Sequence, residues 1–292
     1  MFRRTISAKV SLEGRALHTG EHSKVTFLPS PTPSGIRFIR FENGEKRILP
    51  ANLANAAESV RGTNLKKNGT SIRTIEHIMS AAFGLSLDDL DIEISASEPP
   101  AMDGSAKEFV CALLKAGIRE KRQQKKNPFS ISKQFEFVSR ESTYKVFPSE
   151  KFSVRLRYLN KHPLIGVEEA IYSEGDNYLK EIAGARTFCL MDEIEFLRAR
   201  GLGKGGSLKN VIVVDSDKFL AEGGLRFTNE LARHKLLDFL GDLKLLNLNF
   251  RNFSVEAERT GHEQNIKFAR ILFEKLETQE DKWKRDYRKV NL

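Results

Sequence analysis

The sequence predicts a protein of mixed strands and helices built in two similar halves, and three observations carry that expectation. A chain of 292 residues is long enough for two compact domains, each with its own core. Each half runs through strand-like alternation to an apolar helix bearing chemically interesting polar residues, then a further strand and a closing helix, the mark of a weak internal duplication. Between the halves the basic, glutamine-rich stretch REKRQQKKN at 119–127 interrupts the pattern and reads as a linker. The boundary falls there, giving an N-terminal domain over 1–122, a C-terminal domain over 128–278 and a basic tail over 279–292.

In the first half, residues 5–12 and 24–28 alternate apolar and polar positions like strands, joined by EGRALHTGE. His18 lies in that connection and reads as a hydrogen-bonded loop histidine. The strand GIRFIRF leads to SVRGTNLKKNGTSIR, whose Gly and Asn residues predict a small insertion or hairpin. TIEHIMSAAFGL follows as a short apolar helix with Thr74 as its N-cap. After it come the strand LDIEIS, the turn PPAMDGSA with Asp103 and Ser105 as turn and cap residues, and the helix KEFVCALLKAGI.

The second half opens with FSISKQFEFVSR, STYKVFP and KFSVRLRYLN, which read as a β-meander. Helices are expected at NYLKEIAG and MDEIEFLRARG, and the strand NVIVVD follows GLGKGGS. Glycines 201, 203 and 206 satisfy GxGxxG, but a helix precedes them and a strand follows, so a pyrophosphate would find no helix N-terminus. The stretch is read as a flexible connection within a helix-to-strand insertion. Then come the helix RHKLLDFLGD, the strand NFSVEAE, the turn RTGHEQN and a last helix, IKFARILFEKLE.

Composition narrows the classes. Hydrophobic residues make up 40% of the chain and mean hydropathy is -0.41, as in an ordinary soluble protein. No apolar run approaches the ~20 residues of a membrane span, and no signal-peptide core follows Arg3-Arg4, so a cytoplasmic location is expected. Cys111 and Cys189 are far apart and read as reduced core thiols, not as a disulfide or a metal site. A net charge of +9 asks for an anionic partner. With no nucleic-acid-reading motif, a phosphate-bearing small molecule ranks above nucleic acid.

The organising stretch is RHKLLDFLGD, which sets His234, Asp238 and Asp242 four residues apart on one helical face, with Leu236, Leu237, Phe239 and Leu240 on the others. Alone, that spacing is more simply a polar face used for capping or ion pairing. As half of a catalytic zinc site it needs a third protein ligand and an open position. Glu76 and His77 at the start of the first-half helix supply an imidazole and an adjacent carboxylate able to act as base. Duplication would bring the two central helices together and, with them, His77, His234 and Asp238.

The segments LHTGE, TIEH, PAMDGSA, ARTF, GLGKGGSLKN, GLRFTNE, RHKLLDFLGDL and GHxxN, in this order over nearly the whole chain, resemble the zinc-dependent UDP-3-O-acyl-N-acetylglucosamine deacetylases of lipid A biosynthesis. The resemblance implies an α+β fold: two similar domains of layered sheet and helices, with a βαβ insertion at about 190–215 forming an acyl-chain passage. It implies Zn2+ on His77, His234 and Asp238, Glu76 as general base, and His262 as acid or electrostatic partner beside Asp242. Thr187 would donate to the oxyanion, and Phe188, Lys235 and Arg259 would meet the substrate. A UDP-acyl-amino-sugar is thus the expected partner of a monomer, with weak contact of the basic tail with the anionic inner-membrane surface. A metal-dependent amidohydrolase of another acylated amino sugar, and a basic nucleic-acid-binding protein, are the rival readings.

Overall fold

A computed structural model describes residues 2–30, 32–57, 61–125 and 128–276; the basic tail expected over 279–292 lies outside the described residues. Two five-stranded sheets share one plan. In the first, the spatial order is Val10–Arg15, His22–Pro29, Leu90–Ile94, Ile36–Glu42, Glu45–Pro50. In the second it is Phe135–Ser139, Ser142–Pro148, Phe253–Glu258, Ser153–Leu159, Val167–Ser173. Each sheet has a single parallel pair, formed where the last strand of the half slots beside the third. The expected meander is therefore split: Phe253–Glu258, whose Phe253, Val255 and Ala257 are buried in alternation, takes the central place between its second and third strands.

Six helices complete the described chain: α1 (Glu76–Gly84), α2 (Lys107–Lys115), α3 (Tyr178–Glu181), α4 (Glu193–Ala199), α5 (Glu230–Leu243) and α6 (His262–Lys275). The α2 helix packs on the first sheet through Phe109, edge-on to Phe27 at 6.3 Å. On the second sheet, α6 stacks Phe268 on Tyr144 at 4.4 Å. The central helices α1 and α5 join both halves in one apolar core, with Leu236, Leu237, Phe239 and Leu240 fully buried. They cross very closely because α5 carries Gly241, where a Cβ would lie 2.3 Å from the Glu76 carbonyl oxygen. Ser80 seals the crossing by donating its hydroxyl to the Leu237 carbonyl at 2.7 Å.

The βαβ insertion is present: Phe188–Leu190 and Ile212–Val214 pair in parallel around α4. Its glycine-rich loop is no free connection. The Gly205 N–H donates to Leu17 O at 3.0 Å, and a Cβ on Gly205 would fall 2.1 Å from Ala16 O. Gly104 meets the other side of the insertion in the same way, its hypothetical Cβ 1.7 Å from Asn210 O. Absent side chains thus let the insertion dock on LHTGE and PAMDGSA of the first half.

Other local expectations also change. The basic stretch read as a linker is instead a strand, Ile118–Lys125, antiparallel to Phe2–Ile6. Arg119 and Glu120 of this strand are exposed, and Lys121 pairs with the buried Asp89 at 2.9 Å. Thr74 does not cap α1: it sits at φ 54° and gives its hydroxyl to Glu98 at 3.0 Å, leaving Ile75 at the cap position. Part of the expected turn RTGHEQN is already helical, because α6 begins at His262. Cys111 is exposed on α2, whereas Cys189 is buried. No helix among the described residues is long and apolar enough to cross a membrane.

Candidate metal centre and active site

Glu76 and His77 open α1, and His234, Lys235, Asp238 and Asp242 follow one another along α5. The helix crossing brings His77, His234 and Asp238 together, with one ligand atom from each lying within 4.8 Å of the others. Asp238 Oδ1 is 3.4 Å from His234 Nε2 and 3.8 Å from His77 Nε2. A tetrahedral zinc ion with bonds of about 2.0–2.1 Å separates its ligands by roughly 3.4 Å. The His234 Nδ1–H donates to Ala185 O at 3.0 Å, which turns the Nε2 lone pair toward the cluster.

Electrostatics agrees with a ligand set. Burial, and then the neighbouring His234, pushes the His77 imidazole down to about 3, so it is neutral. His234 is likewise lowered by burial, against the pull of Asp238. Burial would raise the Asp238 carboxyl, but His234, His262 and Lys235 outweigh it and hold the group below its usual range. Two imidazoles held below the usual histidine range by burial thus face a carboxyl held below its own. Asp238 Oδ1 is moreover buried without a hydrogen-bond partner, a costly state that a cation would relieve. These residues fit zinc.

A second cluster adjoins the first. His262, the first residue of α6, puts Nε2 3.9 Å from both Glu76 Oε1 and Asp238 Oδ2, while Nδ1 faces Asp242 Oδ2 at 3.0 Å. Burial lowers its affinity for a proton, but Asp242, Glu76 and Asp238 together push it up to about 9. Burial raises the Glu76 carboxyl to about 7 despite the opposing His262 charge. Glu76 Oε2 accepts from the Thr63 N–H at 2.8 Å, and the Thr63 hydroxyl donates to Asp242 Oδ1. Asn265 Nδ2 donates to the other Asp242 oxygen at 2.7 Å.

Both clusters open on one cavity of about 680 Å³. Thr187 and Phe188, at the entry of the insertion, line it, as does Lys235, 3.7 Å from Asp238 Oδ2. Phe188 lies edge-on to His234 at 6.1 Å. One wing is apolar, formed by Ile194, Leu197, Leu202, Val211, Val213 and Leu220 of the insertion. Arg259 instead pairs at the surface with Glu141 at 2.9 Å.

Several cavity residues escape the sequence reading. His18 lines the wall, with its ring Nδ1 buried and without a partner in place of the expected hydrogen bond. Its presence in LHTGE, one of the segments that carry the family resemblance, was the available signal. Arg61, which bridges to Glu193 of α4 at 2.5 Å, and Arg140 add positive charge to the wall. Thr63, buried behind the cavity wall, gave no signal at all.

Comparison with known proteins yields one consistent result. Residues 3–274 match the sequence family described as LpxC, UDP-3-O-acyl N-acetylglycosamine deacetylase. Over 284 residues the chain is 37% identical to the UDP-3-O-acyl-N-acetylglucosamine deacetylase of Saccharophagus degradans, covering 96% of this chain and 92% of that protein. The deacetylase of Teredinibacter turnerae is 36% identical with the same coverage. That of Anaeromyxobacter dehalogenans is 35% identical over 264 residues, 90% of this chain and 84% of that one.

Proposed function

The chain belongs to the UDP-3-O-acyl N-acetylglycosamine deacetylase family, and on that premise we propose that it hydrolyses the N-acetyl group of a UDP-3-O-acyl-N-acetylglucosamine, a step of lipid A biosynthesis, with zinc held by His77, His234 and Asp238. The observation that carries the reading is the buried Asp238 Oδ1, without a hydrogen-bond partner and set between the His77 and His234 imidazoles, beside Glu76 and His262 on the same cavity. When bound, zinc would polarise the amide carbonyl and make water a competent nucleophile near neutral pH.

The protein's own groups supply the rest. Glu76, raised to about 7, can take a proton from the attacking water and later release it. His262, cationic through neutral pH and held by Asp242, offers Nε2 to the developing oxyanion or to the leaving amine. The Thr187 backbone is fixed from both sides, its N–H on Gly104 O at 2.8 Å and its carbonyl on the Ile212 N–H at 2.9 Å, and the residue lines the cavity, a placement that suits an oxyanion donor. Lys235 and the nearby arginines suit the diphosphate, and the apolar wing of the insertion suits the 3-acyl chain. Water adds to the acetyl carbon, the C–N bond breaks, and acetate and a free amine leave.

Acetate release from UDP-3-O-acyl-N-acetylglucosamine by metal-stripped protein, before and after one equivalent of zinc, tests this reading. Activity is expected to return with zinc, to be absent in Asp238→Ala, and to fall sharply on the unacylated sugar nucleotide. Zinc bound stoichiometrically without turnover would move the proposal to another acylated amino sugar. No zinc binding at all would overturn it.

A further inference from the structure

Glu76 and His262 come from different helices and face each other at 3.9 Å, too far for a hydrogen bond to hold the pair. Thr63 holds it. This residue lies between the loop and the strand Asn64–Lys67, and is 3% exposed. Its carbonyl accepts from the Ile75 N–H at 3.0 Å and its N–H donates to Glu76 Oε2 at 2.8 Å, so its backbone clasps the start of α1. Its hydroxyl donates to Asp242 Oδ1 and lies 3.2 Å from His262 Nδ1, an arrangement that lets it accept from the imidazole while donating to the carboxylate. Asp242 is itself fully buried and takes Asn265 on its other oxygen, whose carbonyl in turn accepts from the Tyr144 hydroxyl at 2.7 Å.

We infer that Thr63 is a positioning residue: through its backbone it aims the Glu76 carboxylate, and through its hydroxyl it locks the Asp242–His262 pair, so that base and acid keep one fixed separation across the substrate amide. The inference rests on the acid–base roles given above. Losing the hydroxyl leaves Asp242 Oδ1 buried and short of a donor, which frees the carboxylate to rotate and carry the imidazole with it. No substrate contact and no zinc ligand is touched, so the loss belongs in turnover and not in binding.

The test compares zinc-loaded Thr63→Val, which keeps the β-branched shape without the hydroxyl, with Thr63→Ser, which keeps the hydroxyl without the methyl. Zinc content and thermal unfolding are read beside kinetics. A shift of the order of an ångström in such a pair costs up to about 100-fold in rate. The valine variant is expected to hold one zinc, to keep KM within about twofold and to lose about 10- to 100-fold in kcat, while serine restores kcat to within about threefold. Unchanged kcat in the valine variant overturns the inference. So does a valine variant that loses zinc or its fold, since the hydroxyl is then structural, and so does a serine variant as slow as valine. Failure of the underlying deacetylase reading is told apart because the zinc-loaded parent would itself release no acetate.

Discussion

Gly241→Ala probes the link between helix packing and the site. A Cβ at this position would sit 2.3 Å from Glu76 O and 3.1 Å from Ser80 N, whereas ordinary contact begins at 3.4 Å. The obstacle is α1 backbone and not the tip of a flexible side chain, so relief requires the helices to part by roughly 1 Å. Alanine gains about 1 kcal/mol of helix propensity over glycine, but overpacking against backbone belongs at the upper end of the usual cost of about 1–3 kcal/mol, so a net loss of up to about 2 kcal/mol is expected in urea unfolding. The functional effect is larger. Glu76 and His77 ride on the displaced α1 while His234 and Asp238 stay on α5, and a misplacement of that size costs up to about 100-fold in turnover. Zinc affinity by chelator competition should fall alongside. An alanine variant at least as stable as the parent, with its zinc affinity and turnover, would refute the argument.

Three further outcomes follow from other parts of the molecule. In metal-free protein Glu76, raised from 4.5 to about 7, disfavours the fold once pH exceeds its unfolded value, and the penalty is complete above about 7; Glu76→Gln should therefore be more stable than the parent at pH 8 by about 2–3 kcal/mol while inactive, and equal stability would count against burial as the cause. Asp89, fully buried under Arg3, Lys121 and the Gly35 N–H, is held below its usual range because these partners outweigh the effect of burial. Its stabilisation is present above the unfolded value and disappears as pH falls through the lowered one, and Asp89→Asn should cost about 3 kcal/mol in denaturant at pH 7 without changing kcat. Gly205→Ala, with no room beside Ala16 O, should unseat the insertion, seen as faster proteolysis within 190–215 and a raised KM for the acylated substrate.

What could be read from the sequence depended on the distance over which a signal acts. His234 and Asp238 declare themselves because one helical turn fixes their relation, and Glu76–His77 because neighbours on a helix diverge in a known way. Thr63 binds partners 13, 179 and 199 residues away, and no local pattern encodes such contacts. The strand EKRILP was invisible because an edge strand leaves most of its side chains in water and so lacks the alternation that betrays a half-buried one. The basic strand Ile118–Lys125 was mistaken for a linker because composition reports solvation and says nothing of pairing. Close-packed glycines mislead in the other direction: GLGKGGS has the composition of a hinge, yet its Gly205 lets the loop backbone meet the backbone at Ala16.

The shared plan of the two sheets explains why the site lies where it does. Both halves run through four strands, a central helix, a fifth strand beside the third, and a closing helix. Each half also accepts its extra segment at the same point, between the fourth strand and the central helix: the small sheet of Ala56–Ala57, Asn64–Lys67 and Thr70–Ile72 in the first, the βαβ unit in the second. A segment inserted there must return to the N-terminal end of α1 or α5. The first insertion accordingly delivers Thr63 to Glu76, and the second delivers Thr187 and Phe188 to the cavity beside His234. The closing helices have diverged by the same logic: α6 starts with His262 in the acid–base cluster, whereas the loop before α2 spends its glycine, Gly104, on docking the other half's insertion. One repeat thus contributes Glu76 and the other His262, while the His77, His234 and Asp238 cluster draws on both. A site assembled in this way exists only when the two halves are packed together, so separating them should abolish zinc binding even if each retained its own sheet.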